Sequence, residues 1–115
     1  MSPPFIGNQP VAWLSGQGES TWVYYANGQQ ELVSIPLLVL LERMPTLLRI
    51  HKQAAINPRF LASAQLINFR RATVLIRYAG TERTFGVGHR WLADVKLVLR
   101  RHRWGAGDGL SDGVD

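Results

Sequence analysis

From Val11 onward the chain alternates short apolar stretches with polar breaks, set too closely for long helices. "VAWLS" (Val11 to Ser15) is apolar and β-prone, and "GQGES" after it is a polar, glycine-bearing loop. "TWVYY" is rich in aromatic and β-branched residues, and "ELVSI" returns as its partner across "ANGQQ", where Asn27-Gly28 is a strong hairpin signal. The pattern then changes period. In "PLLVLLERM", Pro36 suits a first helical turn, while Leu37, Leu40, Leu41 and Met44 recur at helical spacing until Pro45 ends it.

Beyond Asn57-Pro58, where helix is disfavoured, Leu66, Val74, Ile76 and Tyr78 alternate with polar neighbours, and Ala79-Gly80-Thr81 is a tight turn between strands. A final amphipathic helix carries Trp91, Leu92, Val95, Val98 and Leu99 in one stripe, with Arg90, Asp94, Lys96 and Arg101 off it. The expectation is a mainly β domain of roughly seven to ten short strands, with one short internal helix and one C-terminal helix. Residues 1–9 read as a proline-bearing leader, 10–103 as the domain, and 104–115, rich in glycine and aspartate, as a disordered tail. No internal repeat is present.

A length of 115 residues and 46% hydrophobic content suit one core, and the absence of cysteine excludes disulfides and thiolate metal sites. The longest apolar run, Ile35 to Leu41, is far short of a bilayer span, and no signal peptide is recognisable, so a cytoplasmic protein is expected. Charge alters the picture more. The net is +5, but Asp108, Asp112 and Asp115 lie in the tail, which leaves five acids against 13 basic residues and a body charge of +8. Eleven of the 13 are arginine, the side chain that grips phosphate and guanine in bidentate fashion. A polyanionic partner, nucleic acid foremost, fits this balance.

Catalytic patterns are missing: there is no nucleophile elbow, no phosphate-binding glycine loop and no His-Glu-x-x-His. His51, His89 and His102 are not spaced as a metal set, and no cofactor is implied. Binding residues gather instead on three non-helical segments. One is the loop Ser15 to Ser20, with Gln17 and Ser20. The second is "LLRIHKQAAINPRF", with Arg49, His51, Lys52, Gln53, Asn57 and Arg59. There Leu47, Leu48, Ile50 and Ile56 can anchor inward while His51 to Gln53 are pushed outward. The third is Gly88 to Arg90, where His89 and Arg90 open the last helix and its first-turn amides favour a phosphate.

The segment "LLRIHKQAAIN" resembles the Arg-x-His-Lys/Arg-Ser-Tyr-Leu-Val-Asn signature of LytTR-type DNA-binding domains of bacterial transcription regulators. "FGVGHRWLADVK" is similar to that family's Pro-Val-Ser-Arg-Arg-Tyr-Leu-x-x-Leu-Lys ending, and the likeness runs from about Val11 to Arg101. Departures are Gln53-Ala54 in place of Ser-Tyr and Gly88-His89 in place of Ser-Arg. The resemblance implies an elongated domain of short antiparallel sheets that reads duplex DNA through loops in the major groove and often bends it. It implies that His51 and Lys52 contact base and phosphate, that Arg90 with His89 supplies the basic residue before the last helix, and that Gln17 to Ser20 form the third contact loop. It further implies two protomers on repeated half-sites. With no room for a receiver in the ten leading residues, the chain reads as a stand-alone regulator or an excised domain, associated with the nucleoid. A stand-alone form would be controlled by a partner such as a membrane inhibitor.

Several readings stay open on the sequence. Glu19 either accepts from cytosine or points away. Arg49 either touches phosphate or pairs with Glu42 or Glu31. Trp22, Tyr24, Tyr25 and Trp104 would favour an RNA-binding module if exposed for stacking. A basic face for an acidic protein partner is the third alternative.

Overall fold

The computed structural model describes residues 9–101; residues 1–8 of the leader, His102, Arg103, Trp104 and the aspartate-rich tail lie outside the described residues. Eight antiparallel strands form two sheets. The first holds β1 (Val11–Gln17), β2 (Ser20–Tyr25), β3 (Gln30–Val33), β4 (Leu48–His51) and β5 (Ala54–Ile56), in the order β3-β2-β1-β5-β4. The second is the meander β6 (Leu61–Asn68), β7 (Arg71–Tyr78) and β8 (Thr81–Val87). Helix α1 (Leu37–Arg43) leads from β3 to β4, and α2 (Leu92–Arg101) ends the domain. Single 3-10 turns occupy Pro58–Phe60 and His89–Trp91. The body measures 43 × 27 × 23 Å, an elongated shape, as expected.

Turn chemistry sets the hairpins. Gly28 takes φ +94°, and Ala79 and Gly80 both have positive φ, the combination that suits a two-residue link between twisted strands. The predicted loop from Ser15 to Ser20 is shorter than its composition implies. Ser15, Gly16 and Gln17 pair with Trp22, Thr21 and Ser20, so only Gly18 and Glu19 turn. Glycine and glutamine there are ladder residues, because backbone pairing is indifferent to how polar the side chain is.

The five-stranded sheet is covered on both faces. Leu14, Val23, Tyr25, Val33 and Ala55 pack under Leu37 and Leu40 of α1. On the other face Ala12, Trp13, Leu48, Ile50 and Ile56 join Val74, Ile76, Tyr78 and Val87 of the second sheet and Leu92, Val95 and Leu99 of α2. Trp13 is the joint between the sheets. Its ring lies flat on Tyr24 at 4.0 Å, meets Phe85 edge-on at 4.9 Å, and donates from Nε1 to the Tyr78 hydroxyl at 3.0 Å. The Arg83 guanidinium covers its outer face. Tyr25, fully buried, donates to Glu31 Oε1 at 2.7 Å, and buried Thr21 donates to the Ile35 carbonyl at 2.7 Å.

Asn57 closes the first sheet. Its Nδ2 donates to the Val11 carbonyl at 2.8 Å, its backbone N–H to Ala12 at 2.9 Å, and its Oδ1 accepts from the Arg59 N–H at 3.0 Å. The asparagine ending "LLRIHKQAAIN" is thus a corner that ties β5 to β1 and turns the chain towards the second sheet. Because Trp13 bridges both sheets from a buried position, Trp13→Ala is expected to cost ~3–5 kcal/mol, read from urea unfolding, with the loss spread over both sheets in hydrogen exchange.

Candidate nucleic-acid interface

The stretch that places Arg49, His51 and Lys52 inside an apolar sequence is the β4–β5 hairpin. Leu48, Ile50, Ala55 and Ile56 are buried, whereas His51, Lys52 and Gln53 are all exposed at its tip. The two strands are short, so something other than their ladder must fix the tip. Arg49 does so. Its Nε donates to the His51 carbonyl at 3.2 Å and its second guanidinium nitrogen to the Lys52 carbonyl, while its guanidinium carbon lies over the Trp91 ring, 5.0 Å from the ring centre. Cation–π contact of this kind contributes about 0.5–2 kcal/mol. Neither Glu42 nor Glu31 pairs with Arg49. Among the described residues the one ion pair is Arg77 with Glu82 at 2.7 Å, and Glu31 is taken by Tyr25. The guanidinium is occupied by the turn's own carbonyls.

Trp91 gathers the rest. His51 is tilted against it at 6.3 Å and Arg90 stacks on it at 5.7 Å. The Gly88 N–H donates to the Ile50 carbonyl at 2.7 Å, fastening the end of β8 to the hairpin strand. Glycine is required there: a Cβ on residue 88 would lie 2.8 Å from the Trp91 ring. On the opposite flank the Gly16 N–H donates to the Gln53 carbonyl at 2.8 Å. Gly18, Pro36, Leu38, Arg49, Lys52 and Gln53 line a shallow depression of about 210 Å³. The three polar segments, far apart in sequence, therefore meet at one end of the molecule.

His51, Lys52, Gln53, His89, Arg90 and Gln17 are exposed there, and Ser20 is half-buried at the start of β2. The Gln53 N–H donates to His51 Nδ1 at 3.3 Å, which leaves Nε2 to carry the proton of a neutral ring. Its charges are cationic, Glu19 in the β1–β2 turn excepted. Arg59 does not join this group. It stands beyond the far end of β5, lining with Arg101 a separate groove between the 3-10 turn at Pro58 and the end of α2. The sequence reading counted Trp91 as one of the core-facing residues of the last helix and gave Gly88 no structural part. The signal available was the adjacency of an aromatic to the His-Arg pair, with glycine two positions before Arg90.

No protein-family model and no curated protein matches the chain. Among solved structures it is similar to the LytTr DNA-binding domain of a methyl-accepting/DNA response regulator from Bacillus cereus. The TM-score is 0.59 over 77% of this chain and 80% of that one, at 13% identity. The fold is the LytTR fold. In this LytTR-like architecture the signature-like segment forms the β4–β5 hairpin, and the "FGVGHRWLADVK" ending passes from β8 into α2.

Gly88→Ala is expected to displace Trp91, change its fluorescence and destabilise the domain by ~1–3 kcal/mol in urea unfolding. Arg49→Ala should cost about 1–3 kcal/mol and speed hydrogen exchange at the Gln53 and Gly88 amides. Arg49→Lys should retain most of that loss, since lysine keeps the charge but not the planar stack.

Proposed function

We propose that the chain is a duplex-DNA-binding transcription regulator whose contact surface is the end of the domain carrying the β4–β5 hairpin. The observation that carries the reading is the meeting of His51 and Arg90 at Trp91, with Lys52 and Gln53 exposed at the same hairpin tip and His89 exposed beside Arg90, in a chain that is strongly basic outside its last residues. The similar Bacillus cereus domain is described as DNA-binding, which supports the same reading.

Roles follow from the chemistry of each group. The β4–β5 hairpin is narrow enough to enter a major groove, with Lys52 as its leading charge. His51 Nε2–H can donate to guanine or thymine acceptors, and the Gln53 amide suits the paired donor and acceptor of adenine. Arg90 and Lys52 reach phosphate or guanine, with His89 exposed beside Arg90. Gln17 and Ser20 serve the adjoining strand, with Glu19 turned from the backbone or accepting from cytosine. Arg49 is a positioning residue, since its donors hold the hairpin. Two protomers on repeated half-sites, and a regulatory partner such as a membrane inhibitor, belong to the same proposal. Among the described residues no helix is long and apolar enough to cross a membrane.

Of the aromatic residues that would serve RNA stacking, Tyr24 is covered by Trp13 and Tyr25 is buried, while Trp22 is half-buried on β2 and Trp104 lies outside the described residues.

Selection of bound duplexes from a random pool should recover a repeated motif; a flat pool would sink sequence-specific reading. Lys52→Ala and Arg90→Ala should each weaken binding by ~1–3 kcal/mol without altering the unfolding midpoint. Affinity should fall steeply with salt, and loss of a phosphate contact should lower the log–log slope by about 1.

A further inference from the structure

The β6–β7 hairpin ends in a two-residue turn, Phe69-Arg70. Of the other two-residue turns among the described residues, Gly18-Glu19 and Ala79-Gly80 use glycine, and the one that does not, Lys52-Gln53, is the tip of the β4–β5 hairpin. A turn closed by phenylalanine and arginine is not chosen for turn chemistry, and Asn68 compensates by accepting the Arg70 N–H on Oδ1 at 2.8 Å. Phe69 is 76% exposed and Ile67 55%, the two most open large apolar side chains of the second sheet. Arg70 lies over the Phe69 ring at 5.4 Å, and Arg71 is exposed beside it. No acidic residue occurs from Arg59 to Thr81.

Strand register fixes where this tip projects. Ala72 pairs with Val87, so Arg71 and the turn extend past the end of the sheet at which β8 passes into Gly88. That is the end occupied by His51, His89 and Arg90. An apolar point flanked by two arginines thus stands beside the contact surface, on a separate hairpin.

We propose that this tip is an additional duplex contact, in which Phe69 wedges against a base step next to the site and Arg70 and Arg71 take the phosphates on either side. The proposal rests on the DNA-binding reading above and names a part of the interface that reading does not use. Proteins that bend DNA set apolar side chains against base steps and flank them with cations, and a protruding, exposed Phe69 has the shape for it. The basic, acid-free surroundings match a polyanion and disfavour an acidic neighbour within the fold.

The test uses the full chain and a mixed-sequence duplex labelled at both ends, at low salt, with wild type, Phe69→Ala and the double variant Arg70→Ala/Arg71→Ala. These side chains are exposed, so an unchanged far-UV spectrum and unfolding midpoint are expected and checked. Phe69→Ala should weaken binding about tenfold or more and reduce the end-to-end energy transfer that reports bending. The double variant should lower the slope of log affinity against log salt by about 2. If wild type binds and bends the duplex while Phe69→Ala matches it in both readouts and the double variant keeps its salt slope, this proposal falls and the DNA-binding reading stands. If wild type binds no duplex, both fall. A parallel arm with anionic phospholipid vesicles separates the other occupant: Phe69-dependent vesicle binding with no effect on duplex would overturn the wedge.

Discussion

The contact between the Arg49 guanidinium and the Trp91 ring holds the functional end of this domain together. A hairpin of four- and three-residue strands cannot keep its own tip in place, since its ladder supplies too few bonds. Arg49 solves this from within, filling the turn with a planar donor whose other face is roofed by an indole from the far end of the chain. The same indole supports Arg90 and leans on His51, and the backbone bond from Gly88 to Ile50 sets its distance. A positive charge in an apolar strand is thereby part of the scaffold, and the charges outward of it are free to meet another molecule.

The paired and the unpaired charges of the β7–β8 hairpin region and the Trp91 surface lie apart. The one ion pair among the described residues, Arg77 with Glu82, sits near the β7–β8 turn, at the end of the second sheet away from Gly88. The exposed lysine, arginine and histidine side chains around Trp91 have no acidic partner comparably close. Unpaired cations gathered around Trp91 give this surface a local positive field that favours the approach of a polyanion.

Much of this was legible in the chain. Asn27-Gly28 and Ala79-Gly80 announced their hairpins, Pro36 and Pro45 bracketed the first helix, and Leu48, Ile50 and Ile56 face inward while His51 to Gln53 face out, as the pattern required. The Ser15–Ser20 segment was misjudged because Gly16 and Gln17 look like loop residues, yet their backbone groups pair with β2. Arg49 was expected to seek a carboxylate or a phosphate. Its partners are two carbonyls and a distant ring, and carbonyls leave no mark in a sequence. The Phe69 turn escaped notice for a related reason: in a run of alternating residues an exposed phenylalanine is indistinguishable from a core one until the register is known.

The strand order β3-β2-β1-β5-β4 has a consequence for how the domain comes into being. The neighbours β1, β2 and β3 can assemble from a short, continuous piece of chain. β5 reaches its place beside β1 only after α1 and β4 have been laid down, and the tip of its hairpin is secured by Gly88 and Trp91, near the end of the fold. Long-range pairings of this kind carry the loop-closure entropy of the whole intervening chain and form late. A nascent or partly unfolded chain therefore has the basic residues but not their arrangement, and the grip exists only once folding is complete.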